Sequence, residues 1–292
     1  MTVEQIDTLV VGGGQAGLAM SEHLGNNDIP HLVLERDRIA ERWRSARWDG
    51  LAANGPAWHD VFPSMPFADV GPDAFAGKQS VTDYFEQFAR QINAPIRCGV
   101  DVQRVEKNNG KAGFRVQTSA GVIDANHVVA ATGPFQTPVI PPLVPAEAPV
   151  RQLHSNAYFN PGQLPPGAVL VVGSGSSGSQ IADELLRAGR RVYLSVGPHD
   201  RPPRSYRGRD FVWWLGVLGK WDAAAADPDT AHVTIAVSGA HGGYTIDFRQ
   251  FAERGMTLLG MTRHYREGRL HFAEDLATNI DNGDTNLSLI HI

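Results

Sequence analysis

The fold is indicated most strongly by the segment Thr8-Leu9-Val10-Val11-Gly12-Gly13-Gly14-Gln15-Ala16-Gly17. Apolar, β-forming residues lead into glycines with the spacing G-x-G-x-x-G, and a helical pattern follows. This order predicts a buried parallel strand, a tight turn and the start of a helix. The first glycine permits the turn, the second lets the backbone approach a pyrophosphate, and the third lets the helix pack closely against the strand. Free N–H groups and the helix dipole would then face the phosphates.

A carboxylate stands where such a motif requires one. A helix is predicted over residues 15–24, and a second buried strand over His31–Glu35. Glu35 lies 23 positions after Gly12 (35 − 12 = 23), close to the spacing of about 20 expected for the acid that binds the ribose hydroxyls. A carboxylate suits a ribose without a 2′-phosphate. The first site is therefore predicted to take FAD or NAD and to exclude NADP.

The opening pattern occurs a second time. Val169-Leu170-Val171-Val172-Gly173-Ser174-Gly175-Ser176-Ser177-Gly178 again predicts a strand, a glycine turn and a helix. The next predicted strand ends at Ser195 with no acid, and the loop beyond it is basic. Arginine near this strand end suits a 2′-phosphate, which favours NADPH over NADH. The predicted NADPH contacts are Gly173, Gly175, Ser176, Ser177, Gly178, Ser195, Arg201 and Arg204. The alternative is an ordinary solvated basic loop.

Composition excludes several other classes of protein. The chain has 292 residues, a net charge of −5 and 42% hydrophobic residues, which fits globular domains and does not favour general nucleic-acid binding. A single cysteine, Cys98, excludes intrachain disulfides and C-x-x-C redox pairs, and no metal site is predicted. The sequence shows no signal peptide and no apolar run long enough to insert stably in a membrane. It also has no nucleophile-elbow, P-loop or H-E-x-x-H motif. A cytoplasmic location is expected.

The order G-G-G-x-A-G, L-E-R-D, E-R-W-R, N-G-P and A-T-G resembles that of the class B flavoprotein monooxygenases. This group includes flavin-containing, Baeyer–Villiger, N-hydroxylating and YUCCA-type enzymes. The resemblance implies an α/β fold with two Rossmann-like domains, FAD in the first and NADPH in the second. It also implies the chemistry: NADPH reduces FAD, and O₂ then gives a C4a-(hydro)peroxyflavin. That species oxygenates a small organic substrate at nitrogen, sulfur or a carbonyl group.

The resemblance also assigns residues. FAD would be held by the glycine turn and the acid, namely Gly12, Gly13, Gly14, Gln15, Ala16, Gly17 and Glu35. Arg42 and Trp43 would line the cofactor, and the backbone of Val102 would contact its adenine. Thr132 and Gly133, at the crossover to the second domain, would border it. Asn54 matches the family asparagine beside the flavin and the nicotinamide. It is the one predicted catalytic residue.

Between the two glycine motifs the family carries a fingerprint that ends in H-x-x-x-(F/Y), or in Trp for Baeyer–Villiger enzymes. His154 and Tyr158 fit it, whereas Ala148 and Val150 replace the family Phe and Gly. The Tyr ending favours oxygenation of nitrogen or sulfur. The predicted organisation is an FAD domain over 1–140, a proline-rich linker over 141–165 and an NADPH domain over 166–286.

Family members continue beyond the end of this sequence, and residues 287–292 match the translation of a common sequencing adapter. The expectation is a truncated fragment with a non-native tail and an incomplete FAD domain. Two other functions stay open. A non-catalytic flavin-binding redox sensor or transport regulator would use the same nucleotide sites. A disulfide reductase would need a cysteine pair, which this sequence does not have.

Overall fold

The computed structural model describes residues 3–108, 110, 112–224 and 234–289. The chain forms two compact units. The first comprises Met1–Ala46, Val61–Asp69 and Lys78–Pro138, and the second comprises Arg47–Asp60, Val70–Gly77 and Val139–Ile292. The division thus differs from a single cut near residue 140, because two short loop segments of the first half pack within the second unit.

The first unit is built on a six-stranded sheet in the order β3-β2-β1-β6-β5-β4. Its elements are β1 Glu4–Val11, α1 Gln15–Asn26, β2 His31–Glu35, α2 Glu41–Ser45, α3 Lys78–Gln91, β3 Ile96–Cys98, β4 Val102–Lys107, β5 Phe114–Thr118 and β6 Gly121–Ala130. Strands β3, β2, β1 and β6 run parallel, and β5 and β4 continue the sheet as an antiparallel meander. This is the doubly wound pattern that the first glycine motif predicts.

Alternation along β1 builds the two faces of this sheet. Leu9 packs on one face with Leu32 and Val116, and Val10 packs on the other with Leu24 of α1. Successive strand residues point to opposite faces, so both layers draw on the same short apolar run. Leu9 and Val10 are fully buried, which explains why the run before Gly12 is continuously apolar instead of alternating.

The second unit repeats the arrangement on a smaller scale. A three-stranded parallel sheet in the order β13-β8-β7 forms its centre, and short hairpins and helices surround it. Its elements are β7 Val169–Val172, α4 Ser176–Arg187, β8 Val192–Ser195, β9 His199–Asp200, β10 Ser205–Tyr206, β11 Arg209–Asp210, α5 Phe211–Val217, β12 Thr234–Ile235, α6 Phe248–Glu253, β13 Thr257–Leu259, β14 Thr262–Arg266, β15 Arg269–Phe272 and α7 Leu276–Leu289. The predicted α/β class with two Rossmann-like units is confirmed.

Several boundaries differ from the prediction. The sequence predicts further strands over 96–105 and Phe114–Thr118. The second is confirmed as β5, but a single strand over 96–105 is wrong, because Gly99 has a φ of +74° and separates β3 from β4. Near the end of the chain the sequence predicts short strands over 257–260 and 270–273 and a helix over 274–280. Strand β14 is an additional strand, and the final helix is longer than predicted, since α7 runs from Leu276 to Leu289. Only Thr234 and Ile235 of the strand predicted over 232–238 are in strand conformation; residues 232 and 233 lie outside the described residues, as do 109 and 290–292. No helix in the described ranges combines the length and apolar character needed to cross a membrane.

Candidate nucleotide-binding sites

The first glycine turn has the geometry of a phosphate-binding loop. Gly12 has a φ of +111°, which side-chain-bearing residues rarely adopt, and its N–H donates to the carbonyl oxygen of Leu34 at 2.8 Å. A Cβ on Gly17 would lie 1.8 Å from the Gly12 carbonyl oxygen, so only glycine lets α1 pack this closely. A Cβ on Gly14, in contrast, would meet no atom within 4 Å. The open side of the turn is therefore at Gly14.

Helix α1 begins at this opening with its first N–H groups free of side-chain caps. Gly14 is the N-cap residue and supplies no capping atom, and Gln15 and Ala16 begin the helix with exposed side chains. Helix N-termini whose N–H groups lack intrahelical partners bind anions through those groups and the helix dipole. The turn thus fits a pyrophosphate.

Glu35 ends β2 beside the same turn. Its Oε2 accepts a hydrogen bond from the N–H of Gly13 at 2.7 Å, and its Oε1 accepts one from the N–H of Asp37 at 2.9 Å. A Cβ on Gly13 would lie 3.0 Å from the Cβ of Glu35. The carboxylate is therefore fixed at the turn by two backbone donors, and each oxygen keeps a lone pair for a ribose hydroxyl.

The other predicted FAD residues of the first unit lie at strand ends or on α2. Arg42 donates from Nη2 to the carbonyl oxygen of Phe135 at 2.9 Å, and Trp43 is half-buried. Thr132 and Gly133 follow β6 and are exposed, and the carbonyl oxygen of Thr132 accepts a hydrogen bond from Gln136. Val102 begins β4 and is half-buried. Their contacts with FAD stay predictions.

The second glycine turn reproduces the first in the second unit. Gly173 has a φ of +100°, and its N–H donates to the carbonyl oxygen of Ser195 at 3.1 Å. A Cβ on Gly178 would lie 1.9 Å from the Gly173 carbonyl oxygen. Gly175 is the N-cap of α4 and again provides no side-chain cap for the N–H groups of Ser176 and Ser177. The same local fit to a pyrophosphate therefore occurs twice in the chain.

The strand register shows which residue replaces the acid in the second copy. Val11 pairs with Leu34 in the first sheet, and Val172 pairs with Ser195 in the second. Ser195 is thus the counterpart of Leu34, and Val196 is the counterpart of Glu35. Val196 is fully buried and uncharged. The second site therefore lacks the carboxylate that would repel a 2′-phosphate.

The hydroxyl group of Ser195 is already hydrogen-bonded within the second unit. Ser195 is 2% exposed, its hydroxyl donates to the carbonyl oxygen of Gly260 at 2.9 Å, and it accepts from the N–H of Thr262 at 3.0 Å. These bonds tie the end of β8 to the start of β14. A direct contact of Ser195 with a nucleotide stays a prediction.

The two predicted phosphate-binding arginines are buried and already paired. Arg201 forms ion pairs with Asp247 and Asp284. Arg204 donates from Nη2 to Asp210 at 2.6 Å and lies over the ring of Phe75, 4.3 Å from its centroid. Both side chains are 6% exposed. The structure gives them a role in holding the loops of the second unit, and a role toward a 2′-phosphate stays a prediction.

Asn54 belongs to the second unit, in the loop before Gly55 and Pro56. Its side chain is exposed, and its Oδ1 accepts a hydrogen bond from Nε2 of Gln180 at 3.0 Å. Its carbonyl oxygen accepts one from Nη1 of Arg204 at 2.7 Å. The side chain of the candidate catalytic residue is thus held by α4, and its backbone carbonyl is held by the loop after β9. Gln180 was missed in the sequence, because a glutamine two residues after a glycine motif carries no signal of its own.

The His154–Tyr158 fingerprint is a local structural device. Nδ1 of His154 accepts from the N–H of Asn156 at 3.2 Å and caps a short 3₁₀ turn over Ser155–Ala157. Tyr158 is 4% exposed, and its hydroxyl donates to Oε2 of Glu184 at 2.6 Å. Burial, reinforced by Glu184, raises the pKa of Tyr158, and burial also raises the pKa of Glu184. The histidine shapes the turn, and the tyrosine anchors it to α4.

Among the described residues, no group of three or more His, Cys, Asp or Glu side chains is placed to hold a metal ion. Cys98 is a free thiol at the end of β3, and burial raises its pKa. A high pKa disfavours the reactive thiolate.

Comparison with known proteins agrees with this geometry. Residues 9–208 match the family model described as pyridine nucleotide-disulphide oxidoreductase. An uncharacterised CzcO-like oxidoreductase of Geobacillus kaustophilus is 40% identical over 217 residues, which cover 73% of this chain and 61% of that protein. A probable indole-3-pyruvate monooxygenase of Arabidopsis thaliana, YUCCA4, is 32% identical over 73% of this chain and 52% of its own length. The chain thus spans about half to three fifths of these curated relatives.

A solved structure shares the fold. The flavin-containing monooxygenase from Stenotrophomonas maltophilia superposes with a TM-score of 0.62 at 20% identity, covering 99% of this chain and 98% of that one. The predicted likeness to class B flavoprotein monooxygenases is confirmed by these relatives. The chain belongs to the pyridine nucleotide-disulphide oxidoreductase family, within which it is similar to the flavin-containing monooxygenases.

Proposed function

We propose that this chain is part of a flavoprotein monooxygenase that uses FAD, NADPH and O₂ to oxygenate a small organic molecule. The observation that carries the proposal is the pair of matching glycine turns, of which the first has Glu35 at the ribose position and the second has Val196. An acid at one site and an apolar residue at the other suit two different nucleotides. The similarity to named monooxygenases supports the reaction class.

In this proposal the first turn binds FAD. The N–H groups at the start of α1 bind the pyrophosphate, Gly14 leaves room for it, and Glu35 accepts the ribose hydroxyls. By family resemblance, the site is completed by Arg42, Trp43, Val102, Thr132 and Gly133. Bound FAD supplies the redox and oxygen chemistry, which amino-acid side chains do not provide.

The second turn binds the pyrophosphate of NADPH through the start of α4. The absence of a carboxylate at Val196 removes the repulsion that a 2′-phosphate would meet at Glu35. By family resemblance, Asn54 presents its amide to the bound nicotinamide nucleotide as a hydrogen-bond donor. The Tyr ending of the fingerprint favours substrates that are oxygenated at nitrogen or sulfur, and a carbonyl substrate is the alternative.

The test is a comparison of NADPH oxidation, O₂ uptake and peroxide release in the wild-type chain reconstituted with FAD and in the Asn54→Ala variant. We expect the variant to bind FAD and to release a larger share of the consumed O₂ as peroxide. If both proteins release the same share of the consumed O₂ as peroxide, Asn54 does not have the proposed catalytic role. If NADPH reduces the flavin but no amine, sulfide or ketone is oxygenated, a non-catalytic redox sensor is the better account.

A further inference from the structure

Gln180 lies on α4, two residues beyond the second glycine turn, and is 4% exposed. Its Nε2 donates to Oδ1 of Asn54 at 3.0 Å and faces the carbonyl oxygen of Ala52 at 3.4 Å. One buried amide therefore contacts both the side chain of Asn54 and the backbone two residues before it.

These contacts fix which way both amides point. A backbone carbonyl oxygen can only accept a hydrogen bond, so the Gln180 atom that faces Ala52 must be the nitrogen. The Asn54 atom that faces the same nitrogen must then be an acceptor, which is Oδ1. It follows that the NH₂ group of Asn54 points away from Gln180, on a side chain that is itself exposed. Orientation of an amide has to be inferred from such a network, and here the contact with the Ala52 carbonyl oxygen decides it.

A second buried side chain fixes the backbone of Asn54. Nη1 of Arg204 donates to its carbonyl oxygen at 2.7 Å, and Arg204 is held in turn by Asp210 through Nε at 2.8 Å. Phe75 covers the guanidinium group. Main chain and side chain of Asn54 are thus held independently, as a preorganised binding group requires.

The remaining atom of the Gln180 amide shows that the residue is not present for packing alone. Its Oε1 is buried and has no hydrogen-bond partner among the described residues. A buried unpaired acceptor is unfavourable, and an apolar side chain of similar length would avoid it. What glutamine adds over such a side chain is the donor that faces Asn54 and Ala52.

We propose that Gln180 is a positioning residue that holds the Asn54 amide with its NH₂ group outward, so that Asn54 acts as a donor to an acceptor oxygen of a bound nicotinamide nucleotide. The identity of that ligand rests on the proposed function. The orientation of the amide does not. Gln180 therefore governs the site through Asn54 and has no contact with the ligand in this account.

The experiment follows the side-chain NH₂ resonance of Asn54 in the full chain labelled with ¹⁵N-asparagine, identified by its loss in Asn54→Ala. Gln180→Met removes the donor at similar length, and Gln180→Glu leaves only acceptors at neutral pH. Gln163→Met is the matched control, because Gln163 also donates to a backbone carbonyl of this unit, that of Ala157 at 2.8 Å. We expect both Gln180 variants to shift the Asn54 resonance and the control to leave it in place. An unshifted resonance in Gln180→Met would overturn the proposal.

NADP⁺ titration of the same proteins tests the ligand. Gln180→Met and Asn54→Ala should each raise the Kd by a similar factor of about tenfold, and the double variant should show no further rise. If the rise in Kd of the double variant equals the product of the two single rises, the two residues act independently and the proposal is overturned. If the resonance shifts but no form binds NADP⁺, the positioning role stands and the proposed function fails.

Discussion

Gly14 and Gly17 belong to one turn, yet a methyl group would meet different surroundings at each. A Cβ would overlap the Gly12 carbonyl oxygen at position 17 and would meet nothing within 4 Å at position 14. We expect Gly17→Ala to lower the free energy of unfolding by about 1–3 kcal/mol through overpacking. Thermal unfolding of the purified variant measures this effect.

Gly14→Val should leave the fold intact and remove flavin binding. Gly14 has backbone angles that valine can adopt, and the side chain would occupy the space that faces the start of α1. We expect the purified variant to hold no FAD. Gly25→Ala is the control, because it also adds a side chain to α1 in open space but at the opposite end of the helix. Full FAD occupancy in Gly14→Val would contradict the assigned site.

Tyr158→Phe should destabilise the second unit in a pH-dependent way. The change removes the hydroxyl that donates to Glu184 and leaves a half-buried carboxylate without that donor, at a cost of about 1–3 kcal/mol. Burial already raises the pKa of Glu184, and the Tyr158 hydrogen bond opposes the rise, so its loss raises that pKa further. A carboxyl group with a raised pKa in the folded state stabilises the fold at low pH and loses this contribution as the pH rises through that pKa.

The stability difference between Tyr158→Phe and the wild type should therefore be largest at neutral pH and shrink as the pH falls. Urea unfolding at a series of pH values measures it. Tyr193→Phe provides the control, since the Tyr193 hydroxyl bonds to no described residue. A pH-independent difference would mean that Glu184 is not the group affected.

Among the helices and strands, the two strand–turn–helix units were predicted from the sequence almost to the residue. His31–Glu35, Phe114–Thr118, Val169–Val172 and Val192–Ser195 are strands as expected. His31–Glu35 and Val192–Ser195 are mostly buried apolar runs, and Phe114–Thr118 alternates between buried and exposed residues, so local pattern and tertiary packing favour the same state. The failure at residues 96–105 arose where one glycine, Gly99, changes the chain direction inside an otherwise strand-like run.

The site was harder to predict than the fold because its supports come from distant segments. Arg201 and Arg204 looked free in a basic loop, but their partners, Asp247, Asp284 and Asp210, are revealed only by folding. Strand register identifies Val196 as the counterpart of Glu35 in the second sheet. This counterpart lies one residue after Ser195, the position expected from the sequence. Spacing in a single sequence does not encode either relation.

Helix α7 offers a test of packing in the second unit. Gly283 lies against His199, and a Cβ at Gly283 would come within 2.6 Å of the ring nitrogen Nε2. His199 is 1% exposed, so its ring has little room to yield. We expect Gly283→Ala to cost about 1–3 kcal/mol of stability. Thr278→Ala, an exposed position on the same helix, should change stability by less than about 0.5 kcal/mol. Equal melting temperatures for the two variants would contradict this packing.

The same strand–turn–helix arrangement occurs in both units, with one chemical difference. In both units the first glycine of the motif has a positive φ, and the helix that follows starts without a side-chain cap. In both, a Cβ on the third glycine would overlap the carbonyl oxygen of the first. They differ at the end of the second strand, where one has Glu35 and the other Val196. In the proposed function each turn takes one nucleotide, and this difference makes the two nucleotides distinct.

The most direct test of this account is an anaerobic NADPH titration of the chain loaded with FAD, followed by the visible absorbance of the flavin. Gly14→Val and Gly175→Val are compared with the wild type, since each adds a side chain at the N-cap of one of the two helices. We predict that the wild type holds one FAD and is bleached by NADPH. Gly14→Val should hold no flavin, and Gly175→Val should hold it but resist bleaching at NADPH levels that suffice for the wild type. Retention of flavin by Gly14→Val, or bleaching of Gly175→Val at wild-type levels, would contradict the assignment of the two turns.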